Sequence, residues 1–220
     1  SITYLLGKLT VTPATLTVKA EDQSSVYGTD PTFTSVITGF QYEDDEASVV
    51  IGAPDYSLLS NTNATLLPSQ IPAGSFTIIP SNLPLINNPN YVVEYETGNL
   101  EMAKADLSVT ADNKSKVYGE ANPPLTISYL GFKFYDSALD ITPPVASTTA
   151  TDASGFGSYP ITLSGGSADN YNLILTDGIL NISKATVSVT AENKTKVYGQ
   201  ANPPFTFTYS GRFVFLNLIK

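Results

Sequence analysis

From Leu107 the chain alternates apolar and polar side chains, Leu107-Ser108-Val109-Thr110-Ala111, and the alternation returns over 125–129, 158–163, 171–175 and 179–182. A period of two places every second side chain on one face, the mark of a half-buried strand. Lys116-Val117-Tyr118 predicts a further short strand, and 135–140 a single helical turn. Thr176-Asp177-Gly178 falls between two alternating runs and predicts a hairpin, with Gly178 supplying the positive φ of a tight turn. Strands this short, with turn residues every 8 to 12 positions, predict a compact all-β module.

The pattern repeats. Lys116-Val117-Tyr118-Gly119-Glu120-Ala121-Asn122-Pro123-Pro124-Leu125-Thr126 recurs over 196–206 with two changes, and more loosely as Ser25-Val26-Tyr27-Gly28-Thr29-Asp30-Pro31. A second marker keeps the same frame, because Gly7, Gly98 and Gly178 each stand 20 residues before Tyr27, Tyr118 and Tyr198. Two independent markers in one register define a tandem repeat. The units are a tail of one repeat over 1–13, complete repeats over 14–104 and 105–184, and the opening strands of a third over 185–220. The first complete repeat carries about ten extra residues near 52–72, where a surface loop absorbs insertion.

The repeated phrase reads as structure. Proline has no amide hydrogen and forces extended backbone on the residue before it, so Pro123 and Pro124 break strand pairing and mark a crossover. Tyr27, Tyr118 and Tyr198 are expected to bury their rings under that crossover, each followed by a turn glycine, Gly28, Gly119 and Gly199. Gly98 and Gly178 mark the end of each repeat.

Composition removes most catalytic chemistry. The chain has neither His nor Cys, which eliminates the imidazole base, the thiolate nucleophile and the sulfur or imidazole metal site. A net charge of −9 repels nucleic acid and anionic lipid, and no apolar run is long enough to insert in a membrane as a helix. No cofactor is implied. Glu43-Asp44-Asp45-Glu46 reads as a solvated helix start, since consecutive positions cannot converge on one cation. Asp22, Asp112 and Glu192 recur where one repeat meets the next and are candidate calcium ligands, although each position offers too few carboxylates to bind tightly alone. Asn113-Lys114-Ser115 and Asn193-Lys194-Thr195 fit the glycosylation acceptor pattern.

Val117-Tyr118-Gly119 with Asn122-Pro123-Pro124, then Gly157-Ser158-Tyr159-Pro160-Ile161-Thr162, Asn170-Tyr171 and Asp177-Gly178-Ile179-Leu180, resembles the MBG domain of the YGX type. The first repeat departs from it in having a single proline, Pro31, and Phe76 in place of the Tyr-Pro pair. The resemblance implies tandem copies in long bacterial surface proteins and adhesins, hence an extracellular or cell-surface location and a spacer role without catalytic residues. An immunoglobulin-like sandwich is favoured, because Asp152 to Tyr159 resembles its tyrosine corner; a β-grasp-like sheet with one short helix is the alternative.

The expected function is therefore a non-catalytic stalk whose partners are its own neighbouring repeats. The alternative is a module that binds a host or cell-surface glycan or protein through loops such as 53–71. Lacking an initiator Met and a leader at Ser1, the chain reads as a fragment of a longer protein, and Phe213, Phe215 and Leu218 are expected to expose an apolar patch. Short connections between repeats favour an extended chain. Solution scattering should give a radius of gyration of about 23 Å or more, and a value near about 17 Å, that of one globule of this length, would refute the rod.

Overall fold

A computed structural model of the chain describes residues 7–60, 65–66, 71–86 and 89–211. Over 14–104 the elements are β1 (Ala14–Ala20), β2 (Gln23–Val26), β3 (Ser35–Thr38), α1 (Glu46–Val49), β4 (Asp55–Ser60), β5 (Thr65–Leu66), β6 (Gly74–Ser81), β7 (Tyr91–Glu96) and β8 (Gly98–Ala103). They form one sheet in the order β3-β1-β7 and another in the order β2-β8-β6-β4-β5. The alternation does what the pattern demands: Leu16, Val18 and Ala20 of β1, and Leu100 and Met102 of β8, are buried, while Thr15, Lys19, Asn99 and Glu101 face water.

Over 105–184 the plan recurs with β9 (Ala105–Ala111), β10 (Lys114–Val117), β11 (Ile127–Leu130), β12 (Val145–Thr148), β13 (Gly157–Ser164), β14 (Tyr171–Thr176) and β15 (Gly178–Ser183). The sheets are β11-β9-β14 and β10-β15-β13-β12. The first repeat's extra residues supply β5, which lengthens its sheet at the β4 edge. Beyond them, β16 (Val187–Ala191) pairs antiparallel with β17 (Phe207–Gly211), and every residue of both is exposed. Phe213, Phe215 and Leu218 lie outside the described residues. The chain is thus built of tandem all-β modules.

The first repeat has two apolar layers. In the first repeat Leu58, Phe76, Ile78, Leu100 and Met102 gather with Ala20, and separately Leu16, Val18, Val49, Val50, Leu83 and Tyr91 form a second cluster. Their walls are continuous strands. β1 and β2 are interrupted only by Glu21-Asp22, β7 and β8 only by Thr97; β1 runs parallel to β7, and β2 parallel to β8. The two continuous strands therefore turn one corner side by side, from the first sheet into the second.

Two expectations change here. The helix forms at Glu46–Val49, where Asp45 caps it by accepting the Ser48 N–H at 2.8 Å and Ser48 Oγ accepts the Asp45 N–H at 2.9 Å. Over 135–140 the chain instead makes non-helical turns. Nor does Asp177-Gly178 close a hairpin, because β14 and β15 belong to different sheets. Gly178 is outside the left-handed region, and its role is close approach: a β-carbon there would strike the backbone of Ala111, as one at Gly98 would come within 2.7 Å of the Ala20 carbonyl oxygen.

The chain also divides into two compact units that do not follow the repeat frame. The first extends to Asp106 and takes in Phe132–Ser137 and Ala168–Asn172; the second comprises Leu107–Gly131, Ala138–Ser167 and the chain from Leu173.

The corner generates a paired test. Gly178→Ala should cost about 1–3 kcal/mol, the usual penalty of overpacking. Gly155→Ala, where an added β-carbon meets nothing within 4 Å, should stay within about 0.5 kcal/mol. Equal urea midpoints for the two variants would show that the corner is not constrained by this contact.

Candidate functional site

The Tyr-Gly phrase folds the same way in all three copies. The Tyr27 N–H donates to the Ala103 carbonyl at 2.9 Å, and that of Tyr118 to Ser183 at 2.8 Å. Gly28, Gly119 and Gly199 follow at φ of 90°, 85° and 90°, and i+3 bonds from Thr29, Glu120 and Gln200 close the turns. The rings have three different surroundings. Tyr27 is buried, Tyr118 is half-buried beside Ala111, Ile161, Leu180 and Ile182, and Tyr198 is fully exposed. Tyr118 is thus less covered than a buried pin, and Tyr198 is no pin at all.

What covers Tyr27 is an aromatic receptor inside the first compact unit, supplied by Phe132–Ser137 and Ala168–Asn172. The Tyr27 ring meets Phe134 and Tyr171 edge-on, both at 5.4 Å between centroids, and Tyr171 rests on Phe132 at 5.6 Å. The Tyr27 hydroxyl donates to Asp136 Oδ2 at 2.9 Å, and the Tyr171 hydroxyl donates to the same oxygen at 2.5 Å. The Lys133 N–H donates to the Tyr171 oxygen at 2.8 Å. Burial first, then the bond to Asp136, pushes the Tyr171 phenol well above its ordinary value. Two phenols that remain donors and one carboxylate that accepts from both make a clamp, arranged for holding a ring rather than moving a proton.

The first repeat carries the same set. The Gln41 N–H donates to the Tyr91 oxygen at 2.9 Å, the Tyr91 hydroxyl donates to Asp44 Oδ2 at 2.7 Å, and Phe40 lies edge-on to Tyr91 at 6.5 Å. Burial, then Asp44, raises the Tyr91 phenol. Tyr42 and Phe134 correspond, and both hold a left-handed backbone, at φ of 57° and 51°. An aromatic residue at positive φ is strained by about 1–3 kcal/mol, a cost kept only where something else fixes the conformation.

The proline phrase carries the chain from β10 in one sheet to β11 in the other. Over it Asn122, just before Pro123 and Pro124, donates its side-chain amide to the Ala150 carbonyl at 2.6 Å and its N–H to Asp152 Oδ1 at 2.8 Å. Lys116, missed as a functional residue, is buried and donates Nζ to the carbonyls of Glu120 and Thr151, each at 3.0 Å. Its recurrence as Lys196, which donates to Asn202 Oδ1 at 2.7 Å, was the available signal. Asn90-Tyr91 and Asn170-Tyr171, with Asp44 and Asp136 at one frame position, were the signal for the receptor. The Tyr159 hydroxyl donates back to the Gly155 carbonyl at 3.2 Å, the form of bond a tyrosine corner makes.

The three calcium candidates are spent on the backbone corner and its neighbours. Asp22 Oδ1 accepts the Asn99 N–H at 2.8 Å, and Asn113 Oδ1 accepts the Ile179 N–H at 2.8 Å in the second repeat. Asp112 accepts from the Ser128 hydroxyl at 2.6 Å and from Thr126, and Glu192 accepts from Thr206 and Lys194. Among the described residues no three His, Cys, Asp or Glu side chains gather as a metal would require. The loop proposed for ligand contact is described only in part, since 61–64 and 67–70 lie outside the described residues. Among the described residues no helix is long and apolar enough to cross a membrane.

The hydroxyls of Ser128 and Thr126 hold the Asp112 carboxyl below its ordinary value. A depressed carboxylate stabilises the fold above the unfolded-state value and loses that contribution as pH falls through the folded one. Below about pH 4 the parent should therefore lose more stability than Asp112→Asn, measured as melting temperature against pH. Parallel profiles would exclude Asp112 as a contributor.

Among curated proteins none matches this chain. Among solved structures, a three-immunoglobulin fragment of titin, an E-to-A variant, is similar at 11% identity over 91% of this chain and 88% of that one, with a TM-score of 0.28. The model of the MBG domain (YGX type) matches three times in succession, over residues 16–101, 107–181 and 187–214. The three Tyr-Gly turns fall one in each match, the two aromatic receptors fall within the first two, and the chain belongs to the MBG domain family of the YGX type.

Proposed function

We propose that this chain is a non-catalytic spacer, a run of modules in a large bacterial cell-surface or secreted adhesin-like protein that holds a distal domain away from its anchor. The observation that carries the reading is the seating of Tyr27. A residue from the opening of one repeat is buried by loops from the next, while a single residue, Lys104, separates β8 from β9. Lys104 Nζ also donates to the Ala168 carbonyl at 2.8 Å. A short connection reinforced by a buried aromatic resists bending and pulling, as a spacer requires. The partners of such a segment are its own neighbouring repeats, and its place is outside the cell.

One feature favours a glycan- or protein-binding reading. Phe33, Tyr56 and residues 52–54 border an open cleft of about 630 Å³ beside the partly described loop. A glycan ligand would stack on those rings.

Single-molecule pulling between the chain ends tests the spacer. The intact chain should release contour length in steps of about 25–30 nm, one per complete repeat, and Tyr27→Ala should lower the force of one step and cost about 3–5 kcal/mol at equilibrium. Unchanged force and stability would remove the joint from the argument. Saturable glycan or matrix-protein binding by the isolated chain, perturbing Phe33 and Tyr56, would establish the second reading in its place.

A further inference from the structure

The first repeat carries an aromatic pair where the second has none. The Glu21 N–H donates to the Thr34 carbonyl as that of Asp112 does to Thr126, which sets Phe33 against Leu125. Tyr56 lies opposite Pro80 and Ala146 opposite Leu163, at equivalent places in β6 and β13, which sets Tyr56 against Ala146. All four side chains pack against the core of their own repeat, so the fold fills this position without rings. Phe33 and Tyr56 stay half-buried, 5.7 Å apart between centroids.

These rings border the cleft of about 630 Å³, together with Ser35, Ile37, Val50 and Glu46. All its walls belong to one complete repeat, and it shares no bordering residue with the cleft beside Tyr91. One wall is a strand edge, because β3 ends its sheet among the described residues. The bonded pair Glu21–Thr34 fixes the alternation: Val36 and Thr38 pair with Lys19 and Thr17, and the backbone N–H and carbonyl groups of Ser35 and Ile37 point away from β1. Two donors and two acceptors are thus offered about 7 Å apart, the spacing of alternate residues in a strand. Ile37 and Val50 make the neighbouring surface apolar. Glu46 is the one charged residue at the border, and it makes no ion pair among the described residues. The Thr34 hydroxyl, a group a sugar would use, already donates to Glu21 at 2.7 Å.

We infer that this cleft takes an extended peptide of a partner protein, which adds a strand to the free edge of β3, lays apolar side chains on Phe33 and Tyr56, and sets a Lys or Arg against Glu46. A peptide here presupposes that the cleft is a binding site, the second reading of the protein's function, and replaces the glycan as its ligand. Main-chain bonds supply affinity in such an addition, and alternate side chains supply selectivity. The net charge of −9 draws a basic segment toward this face.

A display library of random nonapeptides, selected on the intact chain, tests the proposal. The best binder is resynthesised and titrated into isotope-labelled protein while amide shifts are followed. Enriched sequences should alternate apolar side chains and include Lys or Arg, with shifts gathered at 33–37 and 50–56 and slower exchange of the Ser35 and Ile37 N–H groups. N-methylation at every second peptide residue should weaken binding in one phase and spare it in the other, as a strand edge requires. Ser35→Pro removes an N–H that β1 does not use and should weaken binding about fivefold, the worth of one hydrogen bond. Phe33→Leu with Tyr56→Ala, the residues of the second repeat, should weaken it about tenfold or more while the chain still melts cooperatively. Acidic or unpatterned winners, shifts elsewhere, or binding that ignores both the methylation phase and the paired substitution would overturn the peptide. If oligosaccharides perturb Phe33 and Tyr56 and peptides do not, the cleft remains a binding site and the peptide falls; if neither perturbs them, both fall.

Discussion

A β-carbon at residue 98 or 178 would collide with the backbone of the neighbouring strand. That exclusion lets two parallel strands come together and bend as a pair, so that one continuous ribbon serves both sheets of a module. The neighbouring side chains secure the bend: Asp22 and Asn113 accept the next strand's N–H, and Glu21 and Asp112 accept hydroxyls from the start of the adjacent strand. An unpaired donor at a half-covered corner would cost about as much as a lost hydrogen bond. The acids at this frame position are best understood as satisfying that corner rather than as collecting ions.

From the corner follows the placing of the Tyr-Gly turn. β2 and β10 end beside the closing strand of their own repeat, whose last carbonyl takes the tyrosine N–H. The turn is held at the very end of the strand ladder, where the Tyr27 ring passes to Phe134 and Tyr171 while that of Tyr118 stays beside the core of its own repeat. Lys116 anchors the following loop with an ammonium group buried among carbonyls, a role that works without a carboxylate because each hydrogen is given to a backbone oxygen. The strain at Tyr42 and Phe134 belongs to the same economy of positioning, turning an aromatic ring outward from a loop that is otherwise fixed by its phenol and carboxylate.

Much of this architecture was legible in advance. Alternation located the strands of the second repeat to within a few residues, apart from β12 (Val145–Thr148), which it did not read, because period two reflects burial on one face, and the doubled phrase located the crossovers because proline cannot pair. Partners were less legible. Alternation identifies which side chains are inside but not which strand lies alongside, so Asp177-Gly178 looked like a hairpin when it joins two sheets. The helix start read in the acidic run Glu43 to Glu46 does form, capped by Asp45 and Ser48, whereas the helical turn expected at 135–140 is replaced by non-helical turns. Tyr27 and Tyr118 occupy the same position in the frame, yet their burial differs, since burial depends on residues a hundred positions away that no local pattern encodes.

The parallel pairing of opening with closing strands also sets the order in which a repeat can fold. Gln23 pairs with Leu100 and Lys114 with Leu180, so neither parallel pair can form until nearly the whole repeat has been synthesised. Such distant contacts slow folding, because the loop between them must be ordered before pairing repays it. In the meantime the opening strands of the following repeat, nearly identical in wording at Lys116 and Lys196, compete for the same closing strand. The altered phrase of the first repeat distinguishes it from its neighbour in that competition, whereas the second and third copies differ at only two positions over 116–126 and 196–206.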